Sequence, residues 1–238
     1  MENAHIVKSF DQELLDIESM ILEMGGLVET QITDAVAALI TRDADLARKV
    51  RARDKSVDAL ETRIDQATLT VLALRQPIAA DLRSVVCALK LASNLERIGD
   101  YSKNIAKRTQ VLADTGSVGS AEKTIKRMGN LVQKMVADVL DAYLKRDLAM
   151  AEELRLRDKE VDHMHNSLFR ELLTYMMEDP RNITPCMHLL FIAKNLERMG
   201  DHTTAIAEQI HYLVTGTLPA ESRPKADKTS QMSVETDS

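Results

Sequence analysis

The second half of the chain repeats the first. Residues 42–58 align with residues 146–162 with nine identities in seventeen positions, and residues 90–106 align with residues 191–207 with nine identities again. The two offsets, 104 and 101, differ by only three residues. Self-similarity at one period means that two copies of a structural unit follow each other along the chain. The sequence therefore predicts a fold made of two similar halves.

The composition of both halves is that of a helical protein. Apolar residues make up 45% of the 238 residues but aromatic residues only 3%, with no Trp, eight Gly and five Pro. A core of Leu, Ile, Val, Ala and Met is typical of helices. The regularly spaced turn residues that separate the short strands of a sheet protein do not occur. We therefore expect an all-α chain.

Clusters of Gly, Pro, Ser and Asp divide the chain into six predicted helices. These cover residues 3–41, 43–75, 77–113, 120–145, 147–178 and 184–214. Apolar residues recur at spacings of three and four, the pattern of helices in a bundle. We predict two tandem three-helix bundles, each up-down-up, at 1–114 and 120–215. Residues 216–238 are almost without apolar side chains, so we expect a disordered tail there.

The formal net charge of −6 excludes whole classes of partner. Nonspecific binding of nucleic acid or anionic lipid depends on a basic surface, so neither is expected. Cys87 and Cys186 have no metal or redox spacing around them, which favours buried thiols in a reducing compartment. The chain shows neither a signal peptide nor a run of about eighteen apolar residues. We expect a cytoplasmic protein that reaches a membrane only through its partners.

Acidic residues four positions apart occur at matched places in the two halves. The pairs are Asp54 with Asp58, Glu96 with Asp100, Asp158 with Asp162, and Glu197 with Asp201. This spacing puts both carboxylates on one helix face, about 6 Å apart. Each half has one pair on its second helix and one on its third. Four carboxylates from adjacent helices suit a hard or borderline cation such as iron, manganese, magnesium or calcium, and zinc less specifically.

A solvated acidic face is the alternative explanation for these pairs. Basic side chains that could screen the face lie beside it, at Lys55, Arg97, Lys159 and Arg198. Gly99 and Gly200 favour the site, because a glycine inside a helix costs about 1 kcal/mol relative to alanine and often marks close approach of another group. Tight helix packing explains the two glycines equally well.

The two clusters are not predicted to be identical. Glu61 and Asp65, which extend the acidic stripe of the first half, become His165 and Phe169 in the second. The sites should therefore differ in ligands or occupancy. His163 and His202 flank the second cluster and could contribute to it, although an ordinary histidine on a polar face is the simpler explanation.

Longer motifs carry a resemblance to a known family. Residues 95–106 read Leu-Glu-Arg-Ile-Gly-Asp-Tyr-Ser-Lys-Asn-Ile-Ala, and residues 196–207 read Leu-Glu-Arg-Met-Gly-Asp-His-Thr-Thr-Ala-Ile-Ala. Further matching motifs lie at residues 53–58, 75–83 and 157–162. With these motifs the chain resembles the PhoU family of phosphate-uptake regulators. Ala205 departs from the family pattern, whereas Asn104 keeps the asparagine found at that place.

The resemblance implies two three-helix bundles, metal clusters at the E/D-x-x-x-D motifs and a homodimer. Iron is the expected metal, with manganese, magnesium or zinc as alternatives. The resemblance also implies a cytoplasmic negative regulator that communicates between the phosphate ABC transporter and a sensor histidine kinase. Such a regulator holds the phosphate-starvation response off when phosphate is plentiful, and no enzymatic activity is expected of it.

A ferritin-like di-iron carboxylate protein is the rival hypothesis. Two Glu-x-x-His motifs of the kind found in that class occur, at Glu160 to His163 and at Glu208 to His211. Both motifs lie in the second half, however, and the first half has Ser56 and Ala59 at the positions that match Glu160 and His163. A helical scaffold without a site is the third possibility.

Overall fold

The computed structural model describes the backbone of residues 2–113 and 115–220 and the side chains of 10–113 and 115–220. The helices are α1 (Glu2–Thr41), α2 (Ala44–Arg75), α3 (Ala79–Leu112), α4 (Ala121–Lys145), α5 (Leu148–Glu178) and α6 (Ile183–Thr215), with a short 3-10 turn (Pro180–Asn182) before α6. This described part contains no strand. The predicted all-α class with six helices is confirmed, and every predicted boundary lies within two residues of the observed one.

Identical turns join the first two helices of each half, because the same two residues occupy both. Arg42 and Arg146 adopt left-handed backbone conformations, with φ of 56° and 51°, and so end α1 and α4. The aspartate that follows caps the next helix. Asp43 accepts a hydrogen bond of 2.8 Å from the backbone N–H of Leu46, and Asp147 caps α5 in the same way.

Helices α1, α2 and α3 pack against one another, as do α4, α5 and α6. The two groups meet where α1 packs on α4 and α3 packs on α6, so one continuous core runs through both. The predicted division into separate domains at 1–114 and 120–215 therefore stays a prediction. Of the predicted tail at 216–238, residues 221–238 lie outside the described residues, so the predicted disorder stays a prediction. None of the described helices is long and apolar enough to cross a bilayer.

Reciprocal contacts relate the two halves by an approximate two-fold axis. Arg42 of the first half pairs with Glu122 of the second, and the equivalent Arg146 lies 3.9 Å from Glu18. Positions 18 and 122, like 42 and 146, are 104 residues apart. Contacts in which residue i meets j and the equivalent of i meets the equivalent of j define a two-fold arrangement. The duplication seen in the sequence is therefore a symmetry of the fold.

Candidate metal centres

The first acidic cluster, defined as Asp54, Asp58, Glu96 and Asp100, lies where α2 packs on α3. Its members differ in exposure. Asp54 is only 3% exposed, Glu96 and Asp100 are half-buried, and Asp58 is exposed. The cluster is thus a cleft between two helices, closed at Asp54 and open to solvent at Asp58.

Lys103 holds two of these carboxylates together. Its Nζ lies 2.5 Å from Asp54 Oδ2 and 3.1 Å from Asp100 Oδ1. The hydrogen bond to Asp54 raises the pKa of Lys103, so the ammonium group remains charged. An internal cation therefore bridges the α2 and α3 sides of the first cluster.

The pKa shifts of Glu96 and Asp54 indicate that the carboxylates of the first cluster share one environment. Burial, followed by repulsion from Asp100 and Glu61, raises the pKa of Glu96 to about 7. Burial also raises the pKa of Asp54, although its hydrogen bond with Lys103 opposes the shift. Clustered carboxylates with raised pKa values favour the binding of a further positive charge.

A buried amide from a third helix points to the same place. Gln31 of α1 is fully buried, and neither atom of its side-chain amide has a hydrogen-bond partner among the described residues. A Cβ atom added to Gly99 would lie 3.1 Å from Gln31 Oε1 and 3.9 Å from Asp54 Oδ1. The amide is therefore next to the closed end of the first cluster, where its oxygen is a suitable ligand for a hard cation.

The second acidic cluster, defined as Asp158, Asp162, Glu197 and Asp201, lies between α5 and α6 and is more deeply buried. Three of its carboxylates are 2–3% exposed, and only Asp201 is half-buried. Lys194 Nζ lies 2.8 Å from Glu197 Oε2. A Cβ at Gly200 would approach Asp158 Oδ1 to 2.5 Å. The close approach that the glycines predict is thus present at both clusters.

The two clusters differ in the residues around them. Thr204 occupies the position equivalent to Lys103, and Met135 occupies the position equivalent to Gln31, so the second half has neither group. His165, which replaces Glu61, is buried and lines a cavity of about 270 Å³ with Phe169. The predicted difference between the two halves therefore extends to two further positions.

The oxygen atoms of the two clusters are of the kind that bind a metal ion, but their positions do not form a coordination site. As the side chains stand, no three of the His, Cys, Asp and Glu side chains at 10–113 and 115–220 come close enough together to hold one ion. In the first cluster the ammonium of Lys103 already contacts oxygens of Asp54 and Asp100. The carboxylate set and the adjoining Gln31 amide are nevertheless the oxygen donors that iron, manganese or magnesium accept. Metal binding at the eight residues stays a prediction.

The two histidines predicted to flank the second cluster differ in their surroundings. His163 is exposed. His202 Nδ1 lies 2.8 Å from Asn94 Oδ1, and its ring is 5.6 Å from that of Tyr101, so it packs in the contact between α3 and α6.

The two Glu-x-x-His motifs also face different surroundings. Glu160 and His163 are exposed on α5. On α6, Glu208 Oε1 lies 3.7 Å from Arg155 Nε, and His211 Nε2 lies 3.9 Å from an oxygen of Glu152. The four residues do not form the shared carboxylate and histidine site that defines a di-iron protein.

The sequence analysis did not identify Lys103 and Gln31 as part of the first cluster. Both residues nevertheless have a feature in the sequence that could have indicated it. Lys103 follows Asp100 by three residues, which puts it on the same helix face. Gln31 is a polar residue within the apolar stripe of α1, between buried Val28 and Ala35. The basic residues that the sequence analysis proposed as screens of the clusters are less closely paired with the carboxylates than Lys103 is. Of these, Arg97 is mainly exposed, with its Nε 3.6 Å from Glu96 Oε2.

The fold and the clusters define a class: an all-helical, internally duplicated protein with carboxylates gathered between the second and third helices of each half. A family model described as the PhoU domain matches residues 21–109 and again residues 125–210. The chain belongs to the PhoU family.

Individual relatives agree along nearly the whole chain. The phosphate-specific transport system accessory protein PhoU homolog of Caulobacter vibrioides is 49% identical over 227 residues, which are 95% of this chain and 99% of that protein. The crystal structure of PhoU from Pseudomonas aeruginosa matches with a TM-score of 0.85 and 43% identity, over 87% of this chain and 100% of that one. The phosphate transport system regulatory protein PhoU from Streptococcus pneumoniae matches with a TM-score of 0.83 and 30% identity, over 89% and 100%.

Proposed function

We propose that this chain is a cytoplasmic negative regulator of phosphate uptake and of the phosphate-starvation response. In this role it links the phosphate ABC transporter to a sensor histidine kinase. The observation that carries the proposal is the family match in both halves, together with relatives named as accessory or regulatory proteins of phosphate transport. The proposed role requires binding to two partners and no catalysis.

Deletion of the gene tests this role. Phosphate-starvation genes should remain expressed in phosphate-rich medium, and a copy of the wild-type chain should restore repression. Unchanged expression in the deletion strain would count against the regulatory role. Pull-down of the kinase and the ABC transporter with tagged protein tests the partners. We also propose that the chain forms a homodimer, as the resemblance implies, and light scattering of the purified chain tests this.

Metal ions at the two acidic clusters form the second part of the proposal. Support comes from the burial of four of the eight carboxylates and from the Gln31 amide at the closed end of the first cluster. Buried carboxylates are costly unless a cation or hydrogen bonds compensate their charge. A bound ion would add to the positive charge that Lys103 and Lys194 already supply, and it would hold α2 against α3 and α5 against α6.

Elemental analysis of the purified chain tests the metal proposal. Alanine at Glu96, Asp100, Glu197 and Asp201 should remove the retained metal, while alanine at the exposed Glu160 should not. Equal metal content in all variants would refute ligation by the clusters. Oxygen consumption on addition of Fe(II) separates this proposal from a ferritin-like enzyme, because a regulator does not turn over.

A further inference from the structure

A basic cleft lies in the contact between the two halves, and along α3 it begins one helical turn beyond Asp100 of the first acidic cluster. It has a volume of about 240 Å³ and is lined by Asn104, Lys107, Arg108 and Val111 of α3 and by His188 of α6. Four of these five residues present N–H donors. A water molecule takes about 30 Å³, so the cleft has room for a small polyatomic ion.

The positive charge in the cleft has no acidic counterpart among the described residues. Arg108 is half-buried, and its guanidinium lies 4.1 Å above the centre of the Phe191 ring. No carboxylate within 10–113 and 115–220 forms an ion pair with Arg108, Lys107 or His188. Burial lowers the pKa of Arg108. The lining of the cleft therefore carries two positive charges, on Lys107 and Arg108, and no carboxylate.

The contact between Arg108 and His188 determines which N–H groups of these two side chains can donate hydrogen bonds into the cleft. Arg108 Nη1 lies 3.4 Å from His188 Nδ1. Arginine has no acceptor, so the guanidinium donates and Nδ1 accepts, which leaves the ring proton on Nε2. Burial and the neighbouring Arg108 lower the pKa of His188, which favours this neutral form. The histidine therefore supports the orientation of Arg108 and keeps one donor of its own.

We propose that this cleft binds a phosphate group as a small oxyanion, either free phosphate or phosphate on a small molecule. A guanidinium presents paired N–H donors that match the oxygens of a phosphate, and Phe191 holds it in a fixed orientation. Lys107 adds a point charge, and Asn104 and His188 add neutral donors. The bound ion contacts α3 of the first half and α6 of the second, so it strengthens the contact between them.

The approximate symmetry of the fold predicts one such site per chain. Residues 101 positions away from those of the cleft form its counterpart, where Cys87 Sγ lies 3.4 Å from the backbone oxygen of Gln209. The counterparts of Asn104, Lys107 and Arg108 are Ala205, Glu208 and Gln209, and that of His188 is Cys87. This set contains no basic side chain and includes the carboxylate of Glu208, so it lacks the guanidinium and ammonium groups that would bind a phosphate in the cleft.

Calorimetric titration of the full chain with inorganic phosphate, and separately with pyrophosphate, tests the proposal at low ionic strength. We expect saturable binding of at least one of them at one site per chain. Arg108→Gln should weaken it at least tenfold and the exposed Lys107→Gln several-fold. Binding of phosphate identifies the free ion as the ligand, and binding of pyrophosphate alone identifies a larger phosphate-bearing molecule.

A matched variant distinguishes binding in the cleft from nonspecific attraction of phosphate to positive charge on the protein. Arg127 is exposed on α4, so Arg127→Gln removes the same charge elsewhere and should leave the affinity unchanged. Equal weakening by Arg127→Gln and Lys107→Gln would overturn the proposal, as would the lack of saturable binding by the wild-type chain. Lys107→Gln keeps the test valid should Arg108→Gln fail to fold. The titration uses metal-free protein, so its outcome does not depend on the metal proposal.

Discussion

The side-chain amide of Gln133 donates a hydrogen bond to the carboxylate of Glu29, with Nε2 and Oε2 3.0 Å apart. The two residues occupy equivalent positions in the two halves, 104 residues apart, and therefore lie beside the approximate two-fold axis where α1 packs on α4. Burial raises the pKa of Glu29 above its ordinary value of 4.5, the hydrogen bond from Gln133 opposes the shift, and nearby Asp141 adds to it. The charged carboxylate is therefore destabilised in the folded protein.

Glu29→Gln should stabilise the chain at neutral pH. A carboxyl group with a raised folded-state pKa favours folding below its unfolded pKa and loses that contribution as the pH rises through the folded pKa. The variant keeps an acceptor for Gln133 without the charge. The gain should be about 0.5 kcal/mol, because Glu29 is only half-buried and solvent screens the effect. Urea unfolding at pH 7 and pH 4 measures it, and the gain should shrink at pH 4. Glu23→Gln, at an exposed position of α1, should change little at either pH.

Gly200→Ala should destabilise the chain by about 1–3 kcal/mol, the range for forcing an extra group into a packed site. The new Cβ would lie 2.5 Å from Asp158 Oδ1 and would displace that buried carboxylate. Gly99→Ala should cost less, because the nearest atom, 3.1 Å away, is the end of the Gln31 side chain. Gly26→Ala is the control: its Cβ meets nothing within 4 Å, so the helix should gain about 0.5–1 kcal/mol. Urea midpoints in the reverse order would show that these helices do not approach as described.

Helix boundaries were predictable because they depend on neighbouring residues alone. Asp43 and Asp147 cap α2 and α5 through hydrogen bonds that span three residues, so their effect is visible in the sequence. The carboxylate pairs of each cluster were also predictable, again because each pair depends on residues close together in the sequence. Each i, i+4 pair lies on a single helix, and the repeat indicates which pairs correspond.

Contacts between distant helices were not predictable in this way. Lys103 neutralises Asp54 across the α2–α3 contact, at a distance of 49 residues along the chain, whereas the sequence pointed to Lys55, which is exposed. Gln31 reaches the same cluster from α1. The packing of α3 on α6 depends on how the two halves are related in space, and the repeat itself does not specify that relation.

The thiol of Cys87 should be inert in the folded protein. Its side chain is fully buried, and burial raises its pKa to about 11. At pH 8 only about one thiol in a thousand is then in the reactive thiolate form, and it is also inaccessible. Cys186 is buried as well, and burial raises its pKa. Mass spectrometry after iodoacetamide treatment should find both thiols unmodified in the native chain and both modified in urea. Rapid labelling without denaturant would show that the core opens at these positions.

Lys103→Thr should increase the affinity of the first cluster for a metal ion, since it places there the residue that the second half has at Thr204. The ammonium of Lys103 lies between Asp54 and Asp100 and competes with any ion for the same oxygens. Without metal, the variant should be less stable by about 1–3 kcal/mol, because Asp54 stays buried after losing its charged partner. Added Fe(II) or Mn(II) should reverse that loss. Equilibrium dialysis with elemental analysis measures the affinity, and thermal unfolding with and without metal measures the rescue.

Lys55→Thr removes an exposed lysine next to Asp54 in the sequence and should alter neither quantity. A Lys103→Thr chain that binds no more metal than wild type, and is not stabilised by it, would show that the ammonium does not stand in for a metal ion.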